Sequence, residues 1–254
     1  MMCRIVRVVT LSIVAGGAVV AQAPAAAPEA KKAPYEFVAD FSLASSQGNQ
    51  EVTTVALGQR YSYAFPSWKF SQVASALRGT ANGVKNAELY QAGLRADRNV
   101  TKKLTAYLSV DGLRNTPAGL NSQFAEAAGL AYQFLDTDMD KLQLSLGLGS
   151  LQRSFVGVPD RQNDFVGNAA GTYRHLFSRV SYFEQTAGFT PNFTTSDAWL
   201  FATKSAVVAP LSSKIGIKVA YLINFNNAPP LRPASTERFK KFDGLLTTGV
   251  QFTY

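Results

Sequence analysis

Residues 141–153 read KLQLSLGLGSLQR. Leu142, Leu144, Leu146 and Leu148 recur at every second position, with Gln143, Ser145, Gly147 and Gly149 between them. Period two places the leucines on one face of an extended strand, whereas helical spacing would scatter them. The alternation returns at 215–225, where Ile215, Ile217, Val219, Tyr221, Ile223 and Phe225 interleave with Gly216, Lys218, Ala220 and Asn224; Leu222 is the one exception. It closes the chain as Leu246, Val250, Phe252 and Tyr254 against Thr247, Gly249, Gln251 and Thr253. These segments are strands with one apolar and one polar face.

Read outward from them, the chain divides into twelve strands, near 35–45, 51–64, 68–78, 88–97, 103–112, 124–135, 141–153, 165–176, 180–190, 198–208, 214–225 and 242–254. Most have the ten or so residues that a tilted strand needs to cross a bilayer. The connectors alternate in length. Those at 65–67, 98–102, 136–140, 177–179 and 209–213 are short, and those at 78–87, 113–123, 153–164, 191–197 and 226–241 are long. The first hairpin, at 46–50, is tight where a long loop is due. An even strand number, short turns at one end and long loops at the other are the plan of an outer-membrane barrel with both termini in the periplasm.

Aromatic residues support it. Tyr61, Tyr63, Phe65, Trp68, Tyr132, Phe134, Tyr173, Phe177, Tyr182, Phe252 and Tyr254 fall near the short-turn end. Phe124, Phe155, Phe165, Phe189, Trp199, Phe225 and Phe242 fall near the other. Two belts around an aliphatic band suit two membrane–water interfaces, because the rings are amphipathic. A soluble sandwich would instead bury its aromatics centrally.

Composition narrows the alternatives. The 254 residues are 46% hydrophobic and only 17% charged, too apolar for a disordered chain. Beyond the N-terminus no run of 18 apolar residues exists, which excludes a bundle of membrane helices. Residues 1–21 carry Arg4 and Arg7, then the apolar run Val8 to Val20 and small residues, the grammar of a signal peptide cleaved after Ala21. Its removal takes two of the 25 basic residues, none of the 17 acidic ones and the only cysteine, Cys3, leaving +6 and no disulfide. Residues 22–34, QAPAAAPEAKKAP, read as a flexible leader, so the barrel occupies 35–254.

Three segments resemble a known family: FVADFSLASSQGN at 37–49 with a tight turn at Gly48-Asn49, GLAYQFLDTDMDKLQLSLGLG at 129–149, and the terminal strand 242–254. Together they are similar to the YdiY-like salt-induced outer-membrane proteins, catalogued as a domain of unknown function. The resemblance implies an outer-membrane barrel of a Gram-negative-type cell and a link to salt stress. It supplies no catalytic residues. Val250, Phe252 and Tyr254 resemble the terminal signal read by the outer-membrane insertion machinery, although Phe is the commoner last residue.

Chemistry is sparse. Asp136, Asp138 and Asp140 alternate like the start of a calcium loop, but the places due a Gly and a Glu hold Lys141 and Gly147. They read as a solvated turn, and neither metal nor cofactor is expected. His175 is the only histidine and lies at the short-turn end; no G-x-S-x-G elbow accompanies it. A lipid-modifying enzyme is therefore a distant third reading. No basic helix or RNA-binding motif suggests nucleic acid. Residues 226–241, rich in Pro, Arg and Lys, read as a solvated outer loop, with contact to lipopolysaccharide phosphates as the sharper alternative.

The inward parity is the informative part. Asp40, Arg60, Arg95, Arg174, Lys204 and Lys218 fall opposite the apolar faces, with Gln133, Gln143 and Gln251. A passage lined mainly by one sign of charge concentrates the opposite ion. The leading expectation is a non-enzymatic barrel forming a narrow channel for small hydrophilic or anionic solutes, with Arg95 and Lys218 the most useful positions to test. The rival is a structural or adhesive barrel with a plugged lumen, its basic side chains tied to carboxylates such as Asp97 or Asp111.

Overall fold

A computed structural model describes residues 34–46, 52–178, 181–232 and 235–253. The signal segment, most of the leader, the turn at Gly48-Asn49 and Tyr254 lie outside them. The described residues form twelve antiparallel strands: β1 (Tyr35–Ser46), β2 (Val52–Ala64), β3 (Trp68–Ala81), β4 (Val84–Asn99), β5 (Leu104–Asn115), β6 (Leu120–Asp136), β7 (Asp140–Phe155), β8 (Gln162–Leu176), β9 (Tyr182–Thr190), β10 (Leu200–Pro210), β11 (Ile215–Asn226) and β12 (Phe242–Thr253). Each pairs with its sequence neighbours, and β1 pairs with β12, so the sheet closes on itself. The expected all-β barrel of outer-membrane type is what the chain forms. Closure removes the unpaired edges that an open sheet of this size would leave.

Register shows the lean of the strands. Val38, Arg60, Val73, Gly93, Asp111, Ala125, Leu151 and Asp164 are partners in one continuous hydrogen-bonded row across β1 to β8. That row begins near the end bearing the termini and finishes near the opposite mouth, as in a sheared barrel. Alternation then sorts the side chains. Leu146 is 69% exposed on the outer wall, while Ser145 beside it is 9% exposed and faces the interior.

The connectors correct the expected alternation. Residues 78–87 are not a long loop: β3 and β4 run on to a two-residue turn at Asn82-Gly83, with φ of 50° and 75°. That Asn-Gly pair is the type I′ signal, since both positions need positive φ and these residues tolerate it. Residues 113–123 likewise shrink to one 3₁₀ turn, Thr116–Ala118, whose end Asn115 caps by accepting from the Ala118 N–H at 3.2 Å. Among the described residues, the long connections are those after β7, β9 and β11.

Most belt aromatics lie on the outer wall, among them Tyr61, Phe65, Trp68, Tyr132, Phe134, Phe177 and Phe252 at one end. Phe124, Phe165, Phe189 and Phe242 form the other belt. Two do not fit. Tyr182 points inward and donates to Gln251 at 3.0 Å, because β9 starts with it on the lumen parity. Phe155 packs with Leu113 and Leu120 at the mouth.

Candidate functional site

The lumen has two layers. Toward the terminus-bearing end, inward positions carry charge: Asp40, Arg60, Arg95, Asp97, Arg174, Glu184 and Lys218. Toward the other mouth the same parity delivers apolar side chains, together with a buried ion pair of Arg153 with Asp164 at 2.8 Å. Leu77 packs with Leu89 and Leu245, Leu113 with Leu89 and Leu120, and Leu151 with Val166 and Leu200. These leucines come from strands on opposite sides of the ring, so they narrow the passage rather than line one wall.

The structure places all six sequence-derived lumen residues on the inner side of the wall, and their circumstances differ. Lys218 Nζ lies 3.0 Å from Asp40 Oδ2, reaching from β11 to β1 past β12. Arg95 grips Asp97 at 2.9 Å and lies over the Tyr107 ring at 3.8 Å. Arg174 covers the Tyr182 ring at 3.7 Å, opposite Glu184 in register. Arg174, Arg60 and Lys204 have, among the described residues, no carboxylate within ion-pair distance, and the Nε of Arg174 and of Arg60 is buried without a hydrogen-bond acceptor. Arg60 and Lys204 both line an interior cavity of about 290 Å³, shared with Asp40, Ser75, Gln91 and Thr247 at its sides and with Leu77, Leu89, Leu113 and Leu245 above. The Arg95 and Lys218 expected to be most telling are thus paired cations, whereas Arg60 and Lys204 are the unpaired cations that line this cavity. A smaller cavity of about 60 Å³ lies beside Arg95, Tyr107, Asp111 and Gln143.

The mouth at the long-loop end is roofed. The described residues of 226–241 form two arms that extend β11 and β12 as a hairpin: Asn226 N–H donates to Lys241 O, Arg232 N–H to Glu237 O and Phe239 N–H to Pro230 O. Arg238 donates to Pro229 O at 2.7 Å, and Pro229 is fully buried. Phe239 rests against Gly119, where any Cβ would collide with the ring. Gly119 joins β5 to β6, five or six strands around the ring from β12, so the hairpin crosses the opening. This segment is not the freely solvated loop expected from its composition. Neither the roof nor the leucine layer was drawn from the sequence, although Leu77, Leu113 and Leu245 all occupy inward parity and could have been found there.

The other candidates stay apart from the lumen. His175 Nδ1 is 2.8 Å from Asp140 Oδ1, which also accepts from Tyr173 at 2.7 Å, on the outer wall at the terminus-bearing end. Asp136 holds Lys141 at 2.6 Å. Among the described residues, no three His, Cys, Asp or Glu side chains are grouped to hold a metal ion. Val250 and Phe252 lie on the outer face of β12.

Comparison with known proteins agrees with this architecture. The chain is 22% identical over 212 residues to the uncharacterized protein YdiY of Escherichia coli (strain K12), covering 83% of this chain and 82% of that one. Among solved structures it is similar to the NanC porin, with a TM-score of 0.51 at 11% identity, covering 85% of this chain and 98% of the porin. It also matches the translocator domain of the autotransporter NalP from Neisseria meningitidis at TM-score 0.46 and 11% identity, over 88% and 89% of the two chains. At such identities the solved structures speak to fold alone. The model of the family described as "Protein of unknown function, DUF481" matches residues 39–254. The chain belongs to the DUF481 family.

Proposed function

We propose that this chain is a non-enzymatic outer-membrane barrel that admits small anionic solutes, with its termini in the periplasm and the hairpin at 226–241 on the cell surface. The observation that carries the reading is the pair Arg60 and Lys204, cations without a carboxylate partner on the wall of an interior cavity. An inward cation is costly unless water or an anion satisfies it, and the one carboxylate lining this cavity, Asp40, is already held by Lys218. In a narrow, low-dielectric passage two free cations concentrate anions and repel cations. The family resemblance supports the remaining parts of the proposal: a role in salt stress, and a terminal strand read by the insertion machinery through Val250, Phe252 and Tyr254. Outer-membrane lipid surrounds the barrel, and the basic hairpin faces lipopolysaccharide.

Reversal potentials across a salt gradient in a planar bilayer test the reading. Wild-type protein is expected to prefer anions. The double variant Arg60→Gln/Lys204→Gln should lose most of that preference, and Arg95→Gln/Lys218→Gln should lose less. Cation preference in the wild type rejects the assignment. A second reading, a closed structural or adhesive barrel, draws on the roof and the leucine layer. It predicts no conductance in any of these proteins.

A further inference from the structure

The larger cavity has a polarity gradient that an inorganic ion would not use. Its lower wall carries Arg60 and Lys204, with Asp40 already taken by Lys218. Its upper wall is made mainly of Leu77, Leu89, Leu113 and Leu245, with the methyl groups of Ala56, Ala202 and Ala220 and one amide, Asn224. Glu184, the acidic residue one inward position below Thr186 on β9, does not line it. A chloride or phosphate would satisfy the two cations and leave the leucine surface against water. A plain hydrocarbon would cover the leucines and leave the cations unpaired. One molecule with an anionic end and an apolar body does both, and a carboxylate suits a guanidinium beside an ammonium.

We infer that this cavity is a binding site for a small amphiphilic monocarboxylate, its carboxylate paired with Arg60 and Lys204 and its apolar body seated against Leu77, Leu89, Leu113 and Leu245. The inference rests on the anion reading above and names the solute class. Size follows from the volume. A cavity of about 150 Å³ holds one benzene ring, so 290 Å³ holds a molecule of roughly ten to twelve non-hydrogen atoms. A phenyl-substituted propanoate is of that size; acetate is far smaller. The uncharged isostere 3-phenylpropan-1-ol has the same body without the charge.

Equilibrium titration of the full chain in nanodiscs, by calorimetry, separates the contributions. Nanodiscs without protein report how much of each compound simply enters lipid. 3-Phenylpropanoate is expected to bind at least about tenfold tighter than acetate, from the apolar surface it buries, and about tenfold tighter than the alcohol, from its charge. The double variant should remove the advantage over the alcohol, and Lys204→Arg should keep it. Leu77→Ser/Leu245→Ser should remove the advantage over acetate while leaving the advantage over the alcohol. If acetate and 3-phenylpropanoate bind equally and both depend on Arg60 and Lys204, the amphiphile inference fails and the anion reading stands. If the alcohol binds as tightly as the acid, the anion reading itself fails. If correctly folded wild-type barrel, judged by its heat-modifiable mobility, binds neither acid, both are overturned.

Discussion

At the scale of single side chains, one residue along a strand decides between hydrocarbon and lumen. Leu146 stands in the middle of the outer band, in register with Leu130 and Ala169, while Ser145 faces the interior near Ala170 O. An arginine at a lipid-facing midplane site costs about 2–4 kcal/mol, and inward substitutions cost less. Leu146→Arg should therefore lower refolding stability in lipid more than Ser145→Arg, read from urea titrations of the two variants. The reverse order would mean that β7 is turned inside out. Parity of this kind was legible from the leucine run alone. What each inward cation touches was only partly so. Asp97 is two residues from Arg95 on one strand, so their common face follows from alternation. Asp40 is 178 residues from Lys218, and only closure of the sheet brings them together. No local pattern could separate the paired Lys218 from the unpaired Lys204.

Among the elements, the hairpin at 226–241 lies across the mouth of the lumen. Its arms are held by backbone hydrogen bonds, but its far contact is one ring, Phe239 on Gly119. Replacing residues 229–239 with a short Gly-Ser link should raise single-channel conductance, and Phe239→Ala should raise the frequency of openings. Unchanged currents in both would place the barrier in the leucine layer below, where an apolar constriction can stop ions by dewetting. Composition alone misread this element, because Pro, Arg and Lys usually mark solvated loops. Here Pro229 is buried, and Arg232 lies over the Phe239 ring at 5.6 Å. The short turns were misread in the opposite direction. Asn82-Gly83 is a strong hairpin signal, but the polar residues flanking it, Arg78, Thr80, Lys85 and Glu88, hid the continuation of β3 and β4.

For the molecule as a whole, the decisive joint is the seam where the last strand meets the first. Among the described residues, β1 shares twelve register pairs with β2 and four with β12, Val38 to Phe41 against Thr253 to Val250. Beyond the last of these pairs comes Gly249. A Cβ there would collide with the carbonyl oxygen of Phe41, a backbone atom that cannot swing aside. Glycine at this position lets the two strands approach, and Lys218 passes over it to reach Asp40 on the far side of the seam. Gly249→Ala should therefore weaken closure itself, by about 1–3 kcal/mol as overpacked sites usually do. Gly58→Ala is the matched control, since its Cβ would come no nearer than 3.6 Å to the Asp40 side chain. Thermal unfolding followed by heat-modifiable gel mobility should show Gly249→Ala opening well below wild type and Gly58→Ala close to it. Equal melting of the two would show that the seam tolerates the extra atom and that barrel stability is set elsewhere. Asp40 couples this joint to the cavity, because it borders the cavity and anchors the seam at once. Lys218→Gln should accordingly do two things together. It lowers the unfolding temperature modestly, and it releases the Asp40 carboxylate toward Arg60 and Lys204, cutting anion preference although Lys218 is already paired. A variant that loses stability but keeps full anion preference would separate the seam from the site.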